Sequence, residues 1–231
     1  MKITKEQAAE NRAALVQAAA RLFRERGIDG VGVAEISKVA GLTHGALYAH
    51  FPSKEALAAE ALSHGLMRGY TRMTRPTERG APSLADYLDF YVSTWQRDNL
   101  AAGCAMAAAA SEIARQDATI SARFTDGFLL FVEAVERAMG DAVAPAERRQ
   151  RALTTVSAMI GGVAVARATA KSNPQLSDEI LVATRRVLGE LGGEAKPGEP
   201  TPAATRGERK ATAKRGERKP TAKRAKPKAT A

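Results

Sequence analysis

VAEISKVAGLTHGALYAHFPSK, residues 33–54, has the spacing of two short helices joined by a tight turn. Ile36 and Ala40 lie four apart and share one face, as do Leu47 and Phe51. Gly41 stands where the first helix must stop in a left-handed residue. Leu42 fills the corner, and Thr43 is placed to cap the second helix with its hydroxyl. Apolar at 36, small at 37, Gly at 41 and apolar at 42 and 47 is the spacing of a helix-turn-helix unit. The second helix, Thr43 to His50, is then the one offered to a DNA major groove. Thr43, His44 and Gly45 fall at its start, where base edges are approached. Tyr48, His50 and Lys54 fall off the Leu47/Phe51 face, where phosphates are met. Pro52 ends the helix, and Ser53 caps the next one with Glu55 in its first turn.

AEISKVAGLTHGALYAHFPSKEAL resembles the DNA-binding signature of TetR-family transcriptional regulators. The preceding AALVQAAARLFRERGIDGVGV resembles that family's first helix and its connection, so the resemblance covers residues 12 to 57. One departure concerns the hydroxyl residues that the family carries just before the second helix. Val31 and Gly32 stand there, and one phosphate contact is missing. The resemblance implies an all-α chain with an N-terminal three-helix DNA-binding domain and a C-terminal helical domain for ligand binding and dimerisation.

Working outward, helix 1 is expected from Lys5 to Arg26, with Leu15, Ala18, Ala19, Leu22 and Phe23 on one face and Gly27 as its stop. Lys2, Lys5 and Arg12 lie at its N-terminal end, and for each a solvated side chain is preferred over a phosphate contact. Helix 4 runs from Ser53 to about Arg72, and TRPTERGAP (74–82) breaks the chain. Ser83 and Asp86 read as a capping box opening a helix to about Arg97. An Ala-rich helix spans Cys104 to Arg115, and another spans Ala118 to Met139. Pro145 opens a helix to about Lys171, Asn173-Pro174 breaks it, and Leu176 to Leu191 closes the helical part. About nine helices result, with no period-two strand signal.

The apolar, Gly/Ala-dense run Thr155 to Ala170, paired with the last helix, reads as a helix-on-helix surface. In the resembled family the last two helices form a four-helix dimer interface, which makes the partner a second copy of the chain. The resemblance also makes the middle helices an effector chamber. Trp95, Cys104, Met106, Phe128, Phe131 and Met159 are its candidate lining, and a small apolar or amphipathic molecule is its candidate effector. Cys104 near a helix start has two readings: a reactive sensor thiol, or a small buried apolar group, which is favoured.

Charge is unevenly placed. The chain of 231 residues has a net charge of +10. Residues 195–231 hold 12 Lys/Arg against 3 Glu, so the rest is close to neutral. That tail repeats RGERKATAK (206–214) as RGERKPTAK (215–223) and carries too little apolar surface to offset its ordering entropy. It is expected to be disordered and to attract nucleic acid without regard to sequence. The expected organisation is therefore residues 1–54 for DNA, 55–193 for effector and dimer, and 194–231 as a basic tail.

A single cysteine excludes an intrachain disulfide. His44, His50 and His64 make no metal-ligand spacing, and no phosphate-cradling Gly-rich loop or nucleophile elbow occurs. Neither an enzyme nor a bound cofactor or metal is expected. The polar start and the lack of an apolar run near ~20 residues point to a soluble, cytoplasmic protein with no membrane partner. The expected function is a ligand-released repressor acting as a homodimer on a palindromic double-stranded operator. A nonspecific DNA-organising protein driven by the tail is the alternative.

Overall fold

A computed structural model describes residues 4–193. The basic tail and its nine-residue repeat, and Lys2, lie outside these described residues. Among the described residues the chain forms ten α-helices and no strand. They are α1 Lys5–Arg26, α2 Val33–Val39, α3 His44–His50, α4 Lys54–Met73 and α5 Leu84–Tyr91. There follow α6 Thr94–Asp98, α7 Ala105–Ile113, α8 Ala118–Met139, α9 Pro145–Thr169 and α10 Pro174–Leu191. A short 3-10 turn, Gly140–Ala142, joins α8 to α9.

Local chemistry sets these limits. Thr4 caps α1 by accepting from the Gln7 N–H, and Gly27 ends it at φ 78°. Ser53 caps α4 through the Ala56 N–H, and the Glu55 carboxyl is lowered by its own backbone N–H, with the Ser53 side chain next. Ser83 and Asp86 form the reciprocal capping box of α5. The helix expected from Ser83 to Arg97 is two helices, because the backbone turns out of helical geometry at Val92 and Ser93 caps a new start. Asn173 and Pro174 begin α10 rather than merely ending α9: Asn173 accepts from the Leu176 N–H, and Pro174 occupies the first helical turn.

The helices α1, α2 and α3 form a head whose core is Leu15, Leu22, Val31, Ile36 and Leu47, each nearly or fully buried. The helices α5 to α10 form a body. Between them α4 packs against α1 on one side and against α7 and α8 on the other. Leu66 of α4 presses directly on α8 at Gly127, where a Cβ would lie 2.4 Å from Leu66 Cδ1 and 3.1 Å from Leu66 Cβ. Only glycine permits that approach.

In α9 the expectation about apolar runs is corrected: this helix is long and apolar enough to cross a membrane by length and composition. It packs instead against α8 and α10, burying Val156, Met159, Ile160 and Val163. Its other face, with Val165, and the faces of α10 carrying Leu176, Val182 and Val187 are exposed.

Replacing Gly127 by Ala forces Leu66 and α4 away from α8. The overpacking cost is about 1–3 kcal/mol, so a thermal melt of Gly127→Ala is expected to shift down by roughly 2–10 °C.

Candidate functional site

The turn between α2 and α3 is built by backbone hydrogen bonds. The Leu42 N–H donates to the Ser37 carbonyl at 2.9 Å and the Gly41 N–H to the Lys38 carbonyl at 3.1 Å. Gly41 sits at φ 72°, so this is the double-bonded left-handed helix end that glycine favours. It aims α3 outward. Leu47 is fully buried against the head, whereas Thr43, His44, Gly45 and Tyr48 on the opposite side are exposed.

Thr43 occupies the cap position of α3 in extended geometry, but its hydroxyl makes no capping bond, contrary to expectation. The Ala46 N–H is met instead by the Thr43 backbone carbonyl at 3.0 Å. The Thr43 hydroxyl is thus left on the surface as a free donor and acceptor. A Cβ added to Gly45 would meet nothing within 4 Å. Tyr48 leans edge-on against His44 with ring centres 5.8 Å apart. His50 and Lys54 are half-buried at the far end of α3 and the first turn of α4. Gly32 caps α2 without a side-chain bond.

Arg12 is exposed but already paired. It forms a two-pronged ion pair with Glu60 of α4, and its guanidinium lies 4.7 Å from the centre of the Phe51 ring. It therefore ties α1 to the α3–α4 corner, a contact between residues 48 apart that no local pattern announces.

Three polar links join the head to the body, one of them the Gln116 amide donating to the Asp29 carboxylate at 3.2 Å. The Glu112 carboxylate of α7 accepts from the Ile28 N–H at 2.6 Å and the Asp29 N–H at 3.1 Å, beyond the end of α1. Arg24, buried on α1, donates through Nε to the Ala101 carbonyl at 2.8 Å in the α6–α7 loop.

The body holds a cleft between α4, α5, α6, α7 and α8. Its cavity volume is only about 20 Å³. Of the expected lining residues, Cys104, Met106 and Phe131 are on its wall. Phe128 and Met159 are not: Met159 is fully buried in the core, and Phe128 packs half-buried against that core. Trp95 lies on the surface beneath Arg72, whose guanidinium is 4.6 Å from the Trp95 ring centre and 5.5 Å from that of Phe90. Sequence reasoning missed Arg72, Arg68, Gly65, Gly69 and Gln96, which do line the cleft. The spacing 65, 68, 69, 72 on α4 was the signal that marks one helix face.

Cys104 is buried and touches the Tyr91 hydroxyl. Burial pushes its thiol above the ordinary value, with the hydrogen bond from Tyr91 opposing, and burial also raises the Tyr91 hydroxyl. A thiol held protonated is a poor nucleophile, so the geometry favours the small buried apolar group over the reactive sensor. Among the described residues no cluster of His, Cys, Asp or Glu could hold a metal ion.

A three-helix head with an outward second helix of a helix-turn-helix, carried by a long α4 on an all-α body, defines the class of helix-turn-helix proteins. Residues 15–61 match the family "Bacterial regulatory proteins, tetR family". The regulator TtgR of Pseudomonas putida is 40% identical over 75 residues, which are 32% of this chain and 35% of that protein. The repressor BepR of Brucella suis is 46% identical over 54 residues, 23% of this chain and 26% of that protein. The chain thus aligns with about a third or less of the length of these relatives. A TetR-family regulator from Cytophaga hutchinsonii has the same fold, with a TM-score of 0.65 at 16% identity over 86% of this chain and all of that one. Residues 15–61 thus carry the DNA-binding domain of the TetR family, and the helical body shares the fold of its solved members.

Two outcomes follow from this geometry. Glu112→Ala leaves two backbone N–H groups without their charged acceptor, and such bonds are worth about 1.5–3 kcal/mol. Amide exchange at Ile28 and Asp29 is expected to quicken at least tenfold, while Glu112→Gln, which keeps an acceptor oxygen, is expected to change it less. Cys104 is expected to react with a thiol reagent at pH 8 more slowly in the folded chain than in urea, because burial both shields the thiol and raises its pKa.

Proposed function

We propose that the chain is a sequence-specific DNA-binding transcriptional regulator that acts as a homodimer on a palindromic operator and is a repressor released by a small molecule. The observation that carries this reading is the free surface of α3. Its buried side anchors on Leu47, and its exposed first turn offers Thr43, His44 and Gly45, with the Thr43 hydroxyl uncommitted. Thr43, His44 and Gly45 read base edges, and Tyr48, His50 and Lys54 hold phosphates and fix register.

The exposed apolar side chains of α9 and α10, Val165, Val182 and Val187, supply the face for a second copy. Two heads about 34 Å apart then read one half-site each. The name repressor, borne by BepR, supports the sign of the control. Residues 1–54 bind DNA, residues 55–193 bind effector and partner copy, and the tail at 194–231 adds affinity that is blind to sequence. The relatives are named as regulators, which supports a role without catalysis, in the cytoplasm where the DNA is. The effector sits in the cleft of the body and must favour a spacing of the two α3 helices that does not fit the operator.

The test is selection of bound DNA from a random library at about 150 mM salt, the physiological range, with the full chain beside one ending at Gly193. Both are expected to enrich a single inverted repeat. The shorter chain is expected to lose nonspecific affinity and a salt slope of roughly 4–5, the equivalent of about five phosphates. Binding by the full chain alone, with no enriched motif, selects the nonspecific DNA-organising protein instead.

A further inference from the structure

Three guanidinium groups converge on α6 and the loop that leads from it to α7. Arg24 of α1 donates to the Ala101 carbonyl, Arg68 of α4 to the Ala102 carbonyl at 3.0 Å, and Arg167 of α9 to the Gln96 carbonyl at 2.7 Å. Arg72 joins them one helical turn beyond Arg68, held over Phe90 and Trp95. Among the described residues, none of the four has a carboxylate within 4.0 Å, although eleven ion pairs occur elsewhere. Carbonyl oxygens satisfy the donors but cancel no net charge. The charges feel one another: burial, with Arg68 next, pushes Arg24 down to about 10, and burial lowers Arg167. His64, beside Arg24 and Arg68, is held below its ordinary value by burial and those two charges.

The cleft opens beside this cluster. Arg68 and Arg72 stand on its wall, whereas Leu66, Met106 and Phe131 line its interior. Gln96 also lines it and is buried, yet its side-chain oxygen has no hydrogen-bond partner among the described residues. A buried amide oxygen without a donor is uncommon, and as an acceptor it suits a donor rather than an anion. Gly65 and Gly69, on the same face of α4 as Arg68 and Arg72, let Arg24, Ala105 and Phe131 approach the helix backbone. A cation pair beside an apolar interior makes a site with a charged end and a greasy end.

We propose that this cleft binds a small amphipathic carboxylic acid, its carboxylate between Arg68 and Arg72 and its hydrocarbon body against Leu66, Met106 and Phe131. The assignment rests on the ligand-responsive reading above and names the chemistry of that effector. Arginine forks suit a carboxylate in geometry and charge. A single negative charge fits the site better than a phosphate, whose further charge would be left against the apolar wall. Binding also has a consequence for the loop. A carboxylate on Arg68 competes with the Ala102 carbonyl, in the loop whose neighbouring residue Ala101 holds Arg24 of the head.

The probes are octanoate and 4-phenylbutyrate, compared with octanol, 4-phenylbutanol and inorganic phosphate, titrated into the full chain by calorimetry. Trp95 is the single tryptophan and lies under Arg72, so its emission locates the event in the wild type. At least one acid is expected to bind saturably, at least tenfold tighter than its alcohol, with a change in Trp95 emission and no response to phosphate. Arg72→Gln, whose side chain makes no hydrogen bond among the described residues, is expected to weaken the acid at least tenfold with an unchanged circular dichroism melt. If Arg68→Gln does not fold, Arg68→Lys decides for that position and is expected to weaken the acid at least threefold, since it keeps the charge but loses the fork.

Equal affinity for acid and alcohol, no saturable binding of either acid, or unchanged acid binding in Arg72→Gln overturns the proposal. Polarisation of the selected inverted repeat separates it from the reading it rests on. Acid bound with DNA retained keeps the site and removes ligand release. DNA released equally by the alcohols keeps ligand release and removes the acid site.

Discussion

Everything in this fold that has two sides meets at α4, and the contact that fixes its line is Leu66 against the bare backbone of Gly127. Interiors pack too tightly to let such an approach slide. One end of α4 is tied to the head through Leu57, Ala58 and the Glu60 pair with Arg12. The remainder lies between α7 and α8. With no slack at Leu66, a sideways displacement of α4 in the body carries α1, and with it the orientation of α3. The polar links at Glu112 and Arg24 add two further points at which head and body move together.

Those links differ in character from the apolar seam. Glu112 holds backbone N–H groups, so it constrains the path of the chain rather than a side chain. Arg24 and Arg167 carry charge into a largely dry region on carbonyl acceptors alone. Burying a charge without an opposite partner is costly. The α6–α7 loop is therefore held by cations whose charge no carboxylate within 4.0 Å offsets among the described residues.

Much of the fold was legible because its signals are local. Lys5 to Arg26 and Ala118 to Met139 could be bounded to the residue, since Gly27, Asp117 and Gly140 punctuate them. The corner at Gly41 followed from spacing and from the one residue that tolerates its dihedral angle. Local reasoning failed where two local signals competed. Ser93 was a capping residue in plain view, but the apolar run through Val92 and Trp95 masked it. Thr43 looked like a capping hydroxyl because its position is a cap position, yet the carbonyl does that work. Long-range features were out of reach. Nothing in the one-dimensional spacing of residues 24, 68 and 167 brings them to α6 and the loop after it, and nothing local marks Gly65 and Gly69 as lining a cleft.

The cleft is nearly full of protein, with room for about one water. An empty pocket would have bound at the full strength of its contacts. A closed one must first be opened, and its apparent affinity is reduced by the fraction of molecules already open. With the proposed effector in this cleft the chain would act as a threshold detector rather than a scavenger: traces would pass unnoticed, and only accumulation would be registered. Substitutions that loosen the packing around Met106 and Phe131 would lower that threshold without touching a single contact to the signal itself.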